Sequence, residues 1–157
     1  MNRLSAILLF ALFTTIAHAA RDIPRRELLN DGWLFCLNDS NFAEAQGVTL
    51  PHDWSIRQRF DREAPAGNDG AYLPTGRGWY RRLLNLSADY AGKRLRLYFE
   101  GVYMNARVWV NGCEAGGYPY GYSSFWVDAT PYVKTGQNEI VVSVDNSQQK
   151  NCRWYSG

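Results

Sequence analysis

Few residues in this chain have the type and spacing for covalent chemistry. Beyond the first twenty positions there is one histidine, His52. A Ser-His-Asp triad could use it, but no nucleophile-elbow sequence accompanies it. Cys36, Cys113 and Cys152 include no CxxC spacing, so zinc and redox chemistry have no support. Gly76-Arg77-Gly78 is not followed by the third glycine of a dinucleotide turn, and there is no Walker sequence. Glu27, Glu44, Glu63, Glu100, Glu114 and Glu139 are scattered, and Glu100 beside Gly101 reads as a structural strand end. Ligand recognition is better represented. Between Glu114 and Tyr122, glycines 116, 117 and 121 interleave with Tyr118, Tyr120 and Tyr122. An exposed tyrosine beside glycine can stack on the C–H face of a hexose. The same pattern describes a glycine-kinked strand whose tyrosines pack on neighbours. Both readings stand at this stage.

The elements that would position these residues are strands. Leu95, Leu97 and Phe99 alternate with Arg94, Arg96 and Tyr98, and Ala106, Val108 and Val110 with Asn105, Arg107 and Trp109. This is the period of half-buried strands. Asn111-Gly112 follows the second run, and Asn-Gly is the strongest short hairpin signal because both residues accept positive φ. Further strands are expected at Trp33 to Leu37, Val48 to Leu50, Trp79 to Leu86, Ser123 to Val127 and Glu139 to Val144. Arg82 shares a face with Tyr80, Leu84 and Leu86, which predicts a strand edge where its head can snorkel to water. Arg94, Arg96 and Arg107 read as a solvated face. Arg57 to Gly78 is long, turn-rich and poor in apolar residues, the profile of a functional loop or an idle surface one. No run shows a long 3.6-residue apolar period. About eight strands separated by Gly, Pro and Asn turns predict an all-β antiparallel sandwich.

The 157 residues suggest one domain. Residues 1–19 are expected to be a signal peptide: Arg3 precedes the apolar run from Ala6 to Ile16, and Ala17-His18-Ala19 is a small-x-small cleavage site. That run is too short to span a bilayer. The reading assigns 20–157 to the domain and the protein to the periplasm or the exterior. Lys and Arg total 17 against 15 Asp and Glu. Arg3 leaves with the leader, so the mature surface is close to neutral, which argues against nucleic acid or an anionic membrane as partner. Cys36 in its apolar run reads as a buried free thiol, and no disulfide is assigned among the three cysteines. About 138 remaining residues can bury around two-thirds of their unfolded surface, enough for an independent core.

GVYMNARVWVNG and FWVDATPYVKTGQNEIVVSVDN, with the upstream LPHDWSI and GRGWYRR and the terminal RWYSG, resemble the N-terminal sugar-binding domain of glycoside hydrolase family 2. PHDWSI and RWYSG are closer to its β-galactosidase-type members. The resemblance covers roughly Leu28 to Gly157. It implies a galactose-binding-like jelly roll whose last strand would lie past Gly157, so the isolated piece is expected to be marginally stable. It also implies that the two carboxyl groups of retaining hydrolysis, about 5 Å apart, reside on a later barrel domain. None of the glutamates here lies in a motif like the family's catalytic ones. The chain is therefore expected to be inactive alone, with a galactoside-like substrate and the downstream catalytic domain as partners and no metal or cofactor.

The resemblance also implies substrate contacts. Asn146 and Asp145 follow the last complete strand, where family members present an Asn or Asp to the sugar. Asn suits this because it offers a donor and an acceptor. An Asx turn ending the strand is the plainer reading. Tyr72 lies in the long loop that the resemblance puts near the substrate. Asp53 belongs to a turn heading towards the catalytic end, or simply caps that turn at Ser55 while Trp54 fills the core. Arg153 and Trp154 are expected to dock the barrel. A stand-alone secreted carbohydrate-binding module, motivated by Tyr118, Tyr120 and Tyr122, is the alternative. A secreted interaction domain with no sugar role is a weaker one.

Overall fold

Apolar residues alternating along β-branched and aromatic strands can be buried only by pairing strands and stacking sheets, and the computed structural model does this. It describes residues 25–147. The expected signal peptide, Cys152, Arg153 and Trp154 lie outside them. Eight strands run β1 (Trp33–Leu37), β2 (Gln46–Val48), β3 (Arg77–Leu86), β4 (Arg96–Phe99), β5 (Ala106–Val110), β6 (Cys113–Tyr118), β7 (Phe125–Asp128) and β8 (Gly136–Asp145). Six form one antiparallel sheet in the order β2-β1-β3-β8-β5-β6, and β4 pairs with β7 in a second, two-stranded sheet. The architecture is an all-β antiparallel sandwich of jelly-roll type.

The core lies between the sheets. Trp33 and Phe35 of β1, Tyr80 of β3, Ala106 and Val108 of β5, and Ile140, Val142 and Val144 of β8 face Phe125 and Val127 of β7. Ala106, Val108 and Val110 are all buried, as their alternation requires. Phe99 stacks on its cross-strand partner Phe125 at 4.8 Å. At the β5–β6 turn Asn111 and Gly112 have φ of 50° and 80°, the positive pair that a type I′ hairpin needs.

Two strand positions differ from expectation. The short strand covers Gln46–Val48 and not Val48 to Leu50, because the Leu50 N–H turns back to Asn30 O. Arg82 does not sit at a strand edge. β3 is central, with Arg82 between Trp33 of β1 and Ile140 of β8. The sequence pattern reveals which face a residue occupies but not how many strands lie beyond it. Arg82 consequently has a buried Nη1 with no hydrogen-bond partner among the described residues.

The long connection after β2 is ordered by its own turns. 3-10 turns form at Ser55–Arg57 and Gly67–Gly70, and Asp61 N–H bonds Tyr72 O. Its first part plugs the sandwich. Trp54 is buried and stacks on Phe35, with centroids 5.7 Å apart. His52 packs on Phe35 at 4.8 Å, and its Nδ1 shares a hydrogen bond of 3.0 Å with the Tyr80 hydroxyl. Burial, with the Asp53 charge second, pushes the Tyr80 phenol up and keeps it protonated. Burial, followed by the Arg57 charge, holds His52 below its usual range against the pull of Asp53.

The sign of the His52 shift yields a prediction. A folded-state pKa below the unfolded one means that neutral His52 contributes stability above about pH 6.5 that is lost as pH falls through the lower folded value. The urea midpoint is expected to drop between about pH 7.5 and about pH 5. It should drop less in His52→Gln, which keeps a hydrogen-bonding group near Tyr80 but does not titrate. Equal drops in both proteins would refute the assignment.

Candidate functional site

The end of β8 is fixed to three other segments by hydrogen bonds, and this builds a polar rim at one end of the sandwich. Asn146 is buried at 7% exposure. Its Oδ1 accepts the Gly76 N–H at 2.8 Å, and its own N–H donates to Gly76 O at 3.1 Å. One lone pair of the carboxamide oxygen is thus taken by the chain. Asp145 Oδ2 takes both Nη2 and Nε of Arg77, at 2.7 and 3.1 Å. Its Oδ1 accepts the Ser147 N–H at 2.9 Å and the Ser147 hydroxyl at 2.6 Å. Burial opposes ionisation of this carboxyl, but Ser147 and the Arg77 guanidinium outweigh it and hold it below the usual carboxylate range.

Loops from the neighbouring strands complete the rim. After β1, Asn38 adopts φ of 59°, and its Oδ1 accepts the Arg77 N–H at 2.9 Å. Before β5, Met104 O accepts the Asp145 N–H at 2.8 Å, and Asn105 Nδ2 donates to Asp145 O at 3.2 Å. After β6, Pro119 O accepts the Asn105 N–H at 3.1 Å. Tyr120 and Tyr122 stand out from this last loop, 57% and 51% exposed, with ring centroids 5.8 Å apart. Tyr103 meets Tyr122 edge-on at 5.1 Å. Gly121 lets the loop approach: a Cβ there would fall 2.9 Å from Tyr103 Cα. Along part of this rim, an open cleft of about 420 Å³ is lined by Asn38, Ser40, Gly76, Arg77, Trp79, Asp145 and Ser147. An aromatic wall with hydroxyl, amide and ionic groups around it suits a polyhydroxylated ligand.

The structure brings Asn146 and Asp145 together and sets Asp53 and Tyr72 apart from them, on the long loop. Asp53 is exposed, and its Oδ1 caps the Ser55 N–H at 2.7 Å. The turn reading of this residue accounts for that contact, as it does for Trp54 in the core. Tyr72 is 42% exposed and has φ of 57° after Ala71 at 52°. Ser55 Oγ donates to Pro74 O at 3.4 Å, tying the Asp53 turn to the segment that leads into Gly76. Of the three tyrosines, Tyr118 is a packing residue, stacked on Phe125 at 5.2 Å. The packing reading of the Gly/Tyr stretch thus holds for Tyr118, while Tyr120 and Tyr122 are exposed. Sequence reasoning missed Arg77, Asn38, Asn105, Trp79 and Ser147. The signal for Arg77 was present in GRG, a tight backbone passage around one charged side chain. Cys36 is buried and free, and Cys113 is exposed and free. Among the described residues, no three His, Cys, Asp or Glu are grouped to hold a metal.

The comparisons with known proteins concern the chain as a whole. The family profile described as "Glycosyl hydrolases family 2, sugar binding domain" matches residues 1–157. A beta-galactosidase of Bacteroides ovatus, BoGH2A, is 45% identical over 144 residues, covering 85% of this chain and 17% of the relative. A beta-glucuronidase of Bacteroides fragilis is 34% identical over 148 residues, covering 93% of this chain and 20% of the relative. Among solved structures, a family 2 glycosyl hydrolase from Bacteroides cellulosilyticus superposes with a TM-score of 0.75 at 34% identity, over 83% of this chain and 19% of that one. A beta-glycosidase from Bacteroides vulgatus gives 0.71 at 36% identity, over 81% and 18%. The chain thus spans about a fifth or less of the length of each of these proteins. A match along the whole chain, together with the shared sandwich, means that it belongs to the sugar binding domain family of the family 2 glycosyl hydrolases.

Proposed function

We propose that this domain forms one wall of the substrate site of an exported β-galactosidase-type glycosidase, whose cleaving carboxylates reside on a catalytic barrel and not on this domain. The observation that carries the reading is the double link between Asn146 and Gly76, which fixes the carboxamide whose amide nitrogen would donate to a sugar hydroxyl. Asp145, pinned by Arg77 and Ser147, acts as the support that aims this strand end. Asp53 and Tyr72, on the long loop, would reach the sugar only from farther out than Asn146. Arg153 and Trp154 supply docking contacts to the barrel. The leader-like residues 1–19 support export.

The test uses the enzyme that joins this domain to its barrel. Asn146→Asp keeps an oxygen for the Gly76 N–H and removes the amide donor. At a temperature where the variant remains folded by circular dichroism, kcat/KM for a nitrophenyl galactoside is expected to fall roughly tenfold, as for one lost ligand hydrogen bond of about 1.4 kcal/mol. An unchanged kcat/KM would remove Asn146 from the site. Hydrolysis of that galactoside by the purified 157-residue chain alone would overturn the division of labour. The exposure of Tyr120 and Tyr122 favours a second reading, a free-standing carbohydrate-binding module. Calorimetry that shows no heat with any sugar at millimolar concentration would discard it.

A further inference from the structure

The two-stranded sheet has an outer face that the rim at the end of the sandwich does not use. Its inward residues, Leu97, Phe99, Phe125 and Val127, belong to the core. Alternation therefore sends Tyr98 and Trp126 outward. The two are direct cross-strand partners, 45% and 52% exposed, with ring centroids 4.3 Å apart and planes tilted by 37°. Each ring props the other, so the pair is held in place without any cover. Two large exposed rings side by side offer a flat apolar surface that a ligand can cover without moving the chain.

The charges around the pair identify what fits. Arg96 faces Asp128 across the strands, next to the aromatic pair in the register. Arg94 and Glu100, both exposed, lie two positions before Arg96 and two after Tyr98. Arg94 and Arg96 act electrostatically on the Asp128 carboxylate, so these groups are close. Two guanidiniums and two carboxylates give this face no net charge. It offers donors and acceptors without favouring an ion of either sign. The apolar part is small. At roughly 150–250 Å² of surface per aromatic side chain, the exposed parts of the two rings add to about 200 Å², against about 800 Å² per partner in a stable protein interface. That is the scale of a sugar face.

We propose that Tyr98 and Trp126 form a second carbohydrate platform, on the outer face of the β4–β7 sheet, that holds a neutral polysaccharide chain away from the site at the end of the sandwich. Pyranose C–H faces lie on the two rings, and Arg96 and Asp128 bond the hydroxyls at the edge. The platform would retain the enzyme on polymeric substrate without contacting the bond being cleaved.

Surface plasmon resonance of the 157-residue chain over immobilised galactomannan, xyloglucan and acidic polygalacturonate tests this. Binding is expected to a neutral polymer, and Trp126→Ala should weaken it roughly tenfold or more, a loss of about 1.4 kcal/mol or greater. Tyr98→Leu, which keeps a strand-compatible apolar side chain, should weaken it in the same direction. Trp126→Phe should retain most of it, and Leu83→Ala, an exposed residue of the larger sheet, should leave it unchanged. Trp126→Ala should lower the melting temperature only slightly, by the loss of one half-exposed cross-strand pair, and should remain folded at the temperature of the binding measurement. Failure to bind either neutral polymer would overturn the proposal. So would binding confined to polygalacturonate, neutral-polymer binding that survives Trp126→Ala and Tyr98→Leu, or self-association that Trp126→Ala abolishes.

Discussion

Trp54→Ala is expected to destabilise the domain by about 4 kcal/mol, in the range for removing a buried aromatic. Total stabilities of single domains are about 5–15 kcal/mol, so the variant should be close to unfolding at ambient temperature. Trp54 is 7% exposed and stacks on Phe35. Its ring also fills the space over Gly78, where a Cβ would fall 2.7 Å from Cζ3 and 3.0 Å from Phe35 Cε2. The indole Nε1 is buried with no hydrogen-bond partner among the described residues. Two further outcomes follow. Trp54→Phe keeps most of the aromatic packing and removes the orphaned N–H, so it should cost within about 1.5 kcal/mol, as a well-tolerated apolar swap does. Gly78→Ala should cost about 1–3 kcal/mol by overpacking and much less in the Trp54→Ala background. Urea unfolding of the four proteins of the Trp54→Ala and Gly78→Ala cycle, and of Trp54→Phe beside them, checks both. Additive penalties for Trp54→Ala and Gly78→Ala would show that the ring does not occupy that space.

Asn138→Ala is expected to cost about 3 kcal/mol, from several hydrogen bonds of about 1 kcal/mol each and the partners they leave unmet. Asn138 is 1% exposed. Its Oδ1 accepts from Asn111 Nδ2 and the Lys134 N–H, both at 2.8 Å. Its Nδ2 donates to Lys134 O at 2.7 Å and Gly136 O at 2.9 Å. Asn111 in turn donates to Tyr132 O and accepts the Glu139 N–H. One carboxamide therefore ties the β5–β6 hairpin tip to the connection between β7 and β8. Asn138→Asp should be at least as harmful, because it turns two donor contacts into an anion facing two carbonyl oxygens. Loss of amide exchange protection at Asn111 and Glu139, before global unfolding, is the expected signature. A stability loss under about 0.5 kcal/mol, the level of ordinary surface changes, would refute the role.

The two residues differ in how visible they are from sequence. Trp54 is large and apolar, so a core position is the default for it, and the structure agrees. Asn138 looks like any turn residue in Gly-Gln-Asn. Its role arises because chain folding brings Lys134, Gly136 and Asn111 around it at once. Arg82 shows the converse. Its face was read correctly and its depth was not, because alternation says nothing about strand order. The residues of the rim follow the same rule. Asn146 and Asp145 were reached through the family resemblance, whereas Arg77, Asn38 and Asn105, which hold them, come from segments far apart in the chain.

What the sequence determined by itself is local: the strands, the hairpin at Asn111-Gly112, the inward faces, and the family through the order of its motifs. These depend on period-2 burial and turn conformations, which act between near neighbours. The tertiary structure alone decided which strands adjoin, that β3 is central, that the Asn146 oxygen accepts the Gly76 N–H, and that Tyr98 and Trp126 meet on an open face. Each of these is a contact between distant segments, and the free energy that selects such contacts belongs to the packed sandwich as a whole.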